Sequence, residues 1–282
     1  MSRDRRDAKL VRKIDPMHKI MIDIKPNRCD EDVYIHEVVD VTNLVKYMKK
    51  KKEKDDKITY FHFFSSAIAK TICHRPLLNR YVKNGDFYDR NDITLAFVAK
   101  TTFEDHSEEL MAKINVDKND NLNSVKDKIS NKVGKIRGNK KNDTDSAIDI
   151  VGKLPKWLRK LVVKIFIFLD NHDMVPESIT SNLIYYSTVI LSNLGSIHCD
   201  GIYHNLTNFG TNSIVVTIGE IKESVRIVDG EIKKRYVCSF GITLDERIAD
   251  GVYFAKCVNM LEYILNNPSL LEGRVDDKID IV

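Results

Sequence analysis

The chain has 282 residues, 43% of them hydrophobic, which is enough to bury a full core, and no long Pro/Gly/Ser stretch divides it in two. Its 45 basic and 41 acidic residues leave a net charge of only +4, far from the concentrated positive field of a duplex-binding protein. No zinc-finger, basic-zipper or aromatic RNA-binding pattern occurs, so no nucleic acid partner is expected.

The first seven residues are charged and lack the apolar run of a signal peptide. Five cysteines, Cys29, Cys73, Cys199, Cys238 and Cys257, are odd in number and never fall at C-x-x-C spacing, so neither a metal site nor a disulfide framework is expected. A reduced, cytoplasmic setting is the simplest reading. Residues 58–74 carry Phe61, Phe64, Ile68 and Ile72 at helical spacing and stop before Pro76, which predicts a helix. Residues 115–149 are polar and rich in Lys, Asn and Asp, and predict an exposed helical insertion with a mobile loop near 138–145.

Residues 153–170 form the most unusual stretch. On a helical wheel Lys153, Lys156, Lys160 and Lys164 share one face, while Leu154, Leu158, Leu161, Ile165, Phe168 and Leu169 share the other, with Trp157 near the border. The apolar run is shorter than the roughly 20 residues that cross a bilayer, and Lys164 interrupts it. Three readings remain open: a core-packed helix, a lid over a substrate channel, or a helix lying on an anionic membrane surface. Further on, residues 213–220 and 235–243 read as strands, with Asp229-Gly230 as the turn of a ribbon over 224–234. Residues 252–266 return to helical spacing through Val258, Leu261 and Leu265.

Between the last strand and the last helix lies Thr243-Leu244-Asp245-Glu246-Arg247-Ile248-Ala249-Asp250-Gly251. It resembles the D-H-R-x-x-D-G and H-H-x-x-x-D-G motifs of the 2-oxoacid dehydrogenase acyltransferase (dihydrolipoyl acyltransferase) cores and of chloramphenicol acetyltransferase. Other pieces are similar to that family and follow its order. Residues 33–42 resemble its first strand, residues 63–70 its first long helix, Pro76-Leu77-Leu78-Asn79 the exit from that helix, and residues 92–99 its next core strand. Thr188-Val189-Ile190-Leu191-Ser192-Asn193-Leu194-Gly195 resembles its T-x-S-N-x-G strand. The resemblance implies an α/β fold of the chloramphenicol acetyltransferase type, a two-layer sandwich with a mixed sheet flanked by helices. It implies a single domain over 1–282, with a helical insertion at about 104–180. It further implies a homotrimer with sites between subunits, and transfer of an acyl group from a coenzyme A thioester to a thiol, hydroxyl or amine. A catalytically inactive trimeric scaffold is the alternative. The chain starts almost at the core, so the lipoyl and subunit-binding modules of full dihydrolipoyl acyltransferases are not expected, and the acyl carrier is expected to be free coenzyme A, a separate carrier protein or something unrelated.

By the resemblance, Glu246 stands where the family has its general base, a histidine. Glu and His differ by roughly 2 units in reference pKa, so an unburied Glu is weaker by about 3 kcal/mol of proton affinity. Glu246 is therefore read as a base, as a ligand-binding group without catalysis, or as half of a structural ion pair. Ser192 takes the place of the oxyanion donor, or else serves as a turn residue. Asp250 is expected to be buried with an arginine partner and to support the site, and Arg247 to be a framework ion pair. His204 is a second candidate base or a structural histidine. His198 and Cys199 are adjacent, so on a strand they point apart, which argues against a Cys/His dyad.

Overall fold

A computed structural model describes residues 3–55, 57–100, 109–138 and 150–280. In chain order the elements are β1 (Ala8–Leu10), α1 (Pro16–Ile24), β2 (Asp32–Asp40), α2 (Thr42–Lys52), α3 (Tyr60–His74), β3 (Arg80–Lys83) and β4 (Asp86–Arg90). They continue with β5 (Ile93–Lys100), β6 (Glu109–Val116), α4 (Leu122–Gly138), α5 (Lys156–Asn171), β7 (Val189–Asn193), β8 (Ile214–Val228), β9 (Glu231–Asp245) and α6 (Gly251–Asn266). The main sheet has six strands in the order β2-β9-β8-β7-β5-β6, and a small sheet runs β1-β4-β3. The pairings β5–β7 and β7–β8 are parallel and the others in the main sheet antiparallel, which makes the sheet mixed.

Alternation along the strands gives the main sheet two unlike faces. Leu95, Phe97, Val189, Leu191, Val216, Ile218, Phe240, Ile242 and Leu244 point to one face and are buried. Helices α2, α3, α4 and α6 close that face, with Phe63, Phe64, Ile68, Phe254 and Ile264 in the same core cluster. The opposite face carries Ser192, Thr217, Ser239, Gly241, Thr243 and Asp245. Helix α3 begins with a reciprocal device in which the Thr59 backbone N–H donates to His62 Nδ1 at 3.1 Å, and it ends ahead of Pro76.

Strands β8 and β9 form one long hairpin closed at Asp229-Gly230, both at positive φ (55° and 80°), as the sequence led us to expect. The segment 104–180 differs from the expectation of a helical insertion. It contains β6, which pairs along its whole length with β5 at the edge of the main sheet. Ala112, Ile114 and Val116 alternate inward there, a period-2 signal hidden among polar neighbours. Helix α4 follows, and most of the loop expected near 138–145 lies outside the described residues.

Helix α5 is not packed into the core. Leu158, Val162, Phe166 and Leu169 turn inward and are half-buried, while Asp170 is its one buried residue. Trp157 (69% exposed), Leu161, Ile165 and Phe168 (59%) form a second apolar stripe facing outward. The basic stripe Lys156, Lys160 and Lys164 lies beside it, all exposed. The single apolar face of the helical wheel is thus split into a packed half and an open half.

Candidate functional site

Strand β9 delivers Asp245 to the polar face of the sheet, where it is fully buried. Arg247 grips it with two bonds, Nε to Oδ1 and NH2 to Oδ2, both 2.8 Å. Arg28 Nε stands 3.4 Å from Oδ2 on the other side. Arg247 NH1 also donates to Pro26 O at 2.9 Å, and Arg28 NH1 to Thr207 O at 2.8 Å. One carboxylate therefore ties the loop after β9 to two remote segments. Burial pushes the Arg28 guanidinium down to about 10, with Asp245 working against that shift.

Glu246 is the next residue and lies on the surface. Its backbone N–H donates to Glu31 O at 2.9 Å, and its carboxylate forms no ion pair among the described residues. The structural ion pair, one reading of Glu246, finds no partner among the described residues, and the buried pairs of this loop are those of Asp245. Asp250 corrects a second expectation, because it is exposed rather than buried with an arginine. Its carboxylate accepts from the Tyr253 N–H at 2.7 Å and caps α6. The reason is register: β9 points Leu244 into the core, so Asp245 must point to the other face, and the loop then turns outward at Glu246.

Ser192 lies on the same polar face, half-buried, and its hydroxyl makes no hydrogen bond among the described residues. A single row of register crosses the sheet from Ser192 to Thr217, Gly241 and His36. Glu246 is five residues beyond Gly241, about 16 Å further along the strands at ~3.3 Å per residue. One protomer therefore does not bring Glu246 and Ser192 together.

The loop 199–213 spans the face between them. Gly201 N donates to Ser239 Oγ at 2.9 Å, Thr217 Oγ1 donates to Ile202 O, and Leu206 N donates to Asp32 Oδ2 at 3.1 Å. Gly241 permits this close approach, since a Cβ there would collide with Ile202 O. His204 sits midway along the loop, exposed. His198 pairs its Nδ1 with Glu220 Oε1 at 2.6 Å, and no Cys/His dyad forms with Cys199. His36 is a residue the motifs did not single out. It is exposed in the Ser192 row, 6.4 Å from the Tyr203 ring, and the Tyr34 ring lies 5.2 Å from the same ring, tilted by 56°. The alternation of residues 33–42 held the signal, because Tyr34 and His36 share the face opposite Ile35. Among the described residues no group of three or more His, Cys, Asp or Glu is placed to hold a metal ion, and no helix is long and apolar enough to cross a membrane.

Residues 177–272, which include Ser192, Glu246 and Asp250, match the family model of the 2-oxoacid dehydrogenases acyltransferase (catalytic domain). No curated protein matches the sequence. Among solved structures, a probable dihydrolipoamide acetyltransferase from Listeria monocytogenes superposes with a TM-score of 0.60 at 17% identity, covering 90% of this chain and 93% of that one. The cubic core of the pyruvate dehydrogenase multienzyme complex gives 0.54 at 13% identity, covering 93% of each chain. A chloramphenicol acetyltransferase gives 0.53 at 11% identity, covering 92% and 99%. The resemblance read from the motifs stands, and the fold is that of the chloramphenicol acetyltransferase-like acyltransferases.

Proposed function

We propose that the protein transfers an acyl group from a coenzyme A thioester to a thiol, hydroxyl or amine acceptor. In this reading it works as a homotrimer of single-domain subunits over 1–282 with sites between protomers, Glu246 of one facing Ser192 of its partner. The observation that carries the proposal is the placement of these two residues. Each is accessible, neither is engaged by a side chain among the described residues of its own protomer, and the sheet holds them about 16 Å apart along the strands, so two copies are needed to put both on one substrate. The matched cubic core supports assembly of this fold into larger bodies. Covering by a partner also supplies what an exposed Glu246 lacks, since removing water from a carboxylate raises its proton affinity.

The reaction then follows from the groups present. Glu246 takes the proton of the acceptor as its S, O or N attacks the thioester carbonyl, and the Ser192 hydroxyl donates to the oxyanion. The tetrahedral centre collapses, the C–S bond breaks, and the proton passes to the departing coenzyme A sulfur. Asp245, Arg247 and Arg28 hold the loop, and Asp250 fixes its exit into α6. His204, between the two ends, is the second candidate for the base. Thioester cleavage by the purified protein across a panel of acyl-coenzyme A donors tests the proposal. Activity is expected in the wild type, lost in Glu246→Gln and kept in Glu246→His, which restores a base of pKa about 6.5. No cleavage in either the wild type or Glu246→His would leave the inactive scaffold.

The outward stripe of α5 supports a second reading, about where the protein works. Trp157, Leu161, Ile165 and Phe168 beside Lys156, Lys160 and Lys164 suit a helix lying on an anionic bilayer, apolar side chains in the acyl boundary and lysines among the headgroups. In this reading the protein is cytoplasmic and peripheral to a membrane.

A further inference from the structure

The charge of the chain is unevenly placed. Residues 46–57, the end of α2 and the turn after it, hold seven lysines and three acids, a net of +4 that equals the net charge of all 282 residues. The rest of the chain is therefore neutral in sum. Lys46, Lys49, Lys50, Lys52, Lys54 and Lys57 are exposed and form no ion pair among the described residues. Two nearby acids are already engaged, since Asp55 pairs with Lys126 and Glu272 with Lys51, each at 2.6 Å. That leaves Glu53 and Asp56 in the stretch, Asp56 outside the described residues, as two acids against six lysines.

Folding does not call for this density. Helix α2 packs through Leu44, Val45 and Met48, and one or two cations in its last turn are enough to answer the carbonyl end of the helix dipole. Lys46 with Lys49 and Lys46 with Lys50, three and four residues apart, repel each other on the outer face. The surroundings select the anion that relieves them. The stretch has no arginine, so it lacks the planar fork that grips a phosphate with two bonds. Tyr47, the one aromatic residue of α2, is half-buried with its hydroxyl on Glu272 at 2.6 Å, which leaves no open ring for a base to stack on. No apolar side chain of α2 is exposed to enter a bilayer. Helix α5 leans through Phe166 on Phe209 in the loop over the polar face, whereas α2 closes the buried face, so a flat bilayer that seats α5 does not reach these lysines. Against the same patch of a second copy, lysine would meet lysine.

We propose that the lysine face at the end of α2 docks an acidic segment of a partner protein, a run of Asp and Glu carboxylates in extended form. Lysines are flexible point charges and suit carboxylates whose spacing is not fixed. From Lys46 to Lys52 the helix advances about 9 Å, the length of about three extended residues, and the turn to Lys57 lengthens the track. The surface is independent of the acyl-transfer reading, because α2 lies across the sheet from Ser192.

Fluorescence anisotropy of a labelled oligoglutamate peptide, about eight residues long, titrated with the full chain at low salt tests the proposal. Saturable binding is expected, falling as salt is raised. Combining Lys46→Gln, Lys49→Gln, Lys50→Gln and Lys52→Gln should weaken it by about tenfold or more. These side chains are exposed, so the urea midpoint should stay unchanged. Combining Lys153→Gln, Lys156→Gln, Lys160→Gln and Lys164→Gln removes the same charge elsewhere and should keep the affinity within about twofold. Absence of saturable binding in the wild type, or equal losses in the two combined variants, overturns the proposal. So does tighter binding of an oligothymidylate of equal charge through the same four lysines, which assigns the surface to nucleic acid. Release of the protein from anionic liposomes by the α2 variant, with peptide binding intact, overturns it in favour of lipid.

Discussion

Removing the Asp245 carboxylate takes from two buried guanidiniums, Arg28 and Arg247, the one ion-pair partner each has among the described residues. Breaking a buried pair in this way costs about 3–5 kcal/mol, so Asp245→Ala is expected to lower the urea midpoint accordingly. Glu246→Gln, one residue on and at the surface, should stay within about 0.5 kcal/mol. Equal losses for the two variants would make Glu246 part of the framework and end its candidacy as a base. A second residue sets a pH dependence. Burial, and next Lys126, pushes the His62 imidazole down to about 4 from its ordinary 6.5, with Asp55 and Asp127 opposing. His62 stays neutral when folded while the unfolded chain takes up a proton, so its contribution is fully present above about pH 6.5 and is lost as pH falls toward 4. The loss is on the order of 3 kcal/mol, and His62→Gln should flatten that part of the stability profile measured by urea unfolding. The motif was legible at this scale, yet it pointed to the wrong acid for burial. Three acids in six residues look alike until strand register fixes Asp245 on the inner side, and the partner Arg28 is too far away in the sequence to be read from spacing.

Elements were read best where turn chemistry or strong periodicity marks them. Asp229-Gly230 gave the long hairpin, and Phe61, Phe64, Ile68 and Ile72 gave α3. Strand β6 was missed because its short inward alternation sits between polar stretches that resemble a surface helix. Helix α5 was legible as amphipathic, but only the packed structure separates its inward Leu158, Val162, Phe166 and Leu169 from the open stripe. That stripe makes a direct prediction. Liposomes containing anionic lipid should sediment the protein at low salt, and replacing Lys156, Lys160 and Lys164 by Gln should release it, since each near-surface lysine contributes about 1 kcal/mol. Protein left in the supernatant with anionic liposomes would remove the membrane reading of α5 and leave the lid.

At the scale of the whole molecule, the sequence carried the fold through ordered motifs, and identities as low as 11–17% show how little else needs to be kept. It did not carry the separation of the site residues. Ser192 and Glu246 each sit within a short motif, and only the pairing of β7, β8 and β9 reveals that they lie far apart along one sheet. The account therefore requires assembly, and sedimentation at micromolar concentration should show a trimer. Its central claim, a site shared between protomers, is tested most directly by mixing two inactive variants. Glu246→Gln and Ser192→Ala should each lack thioester cleavage alone. Unfolded gently and reassembled together in equal amounts, they should regain about a quarter of wild-type activity, because random assortment gives that share of interfaces both an intact Glu246 and an intact Ser192. Activity that stays at the level of the separate variants, in trimers shown to be mixed, would contradict a shared site.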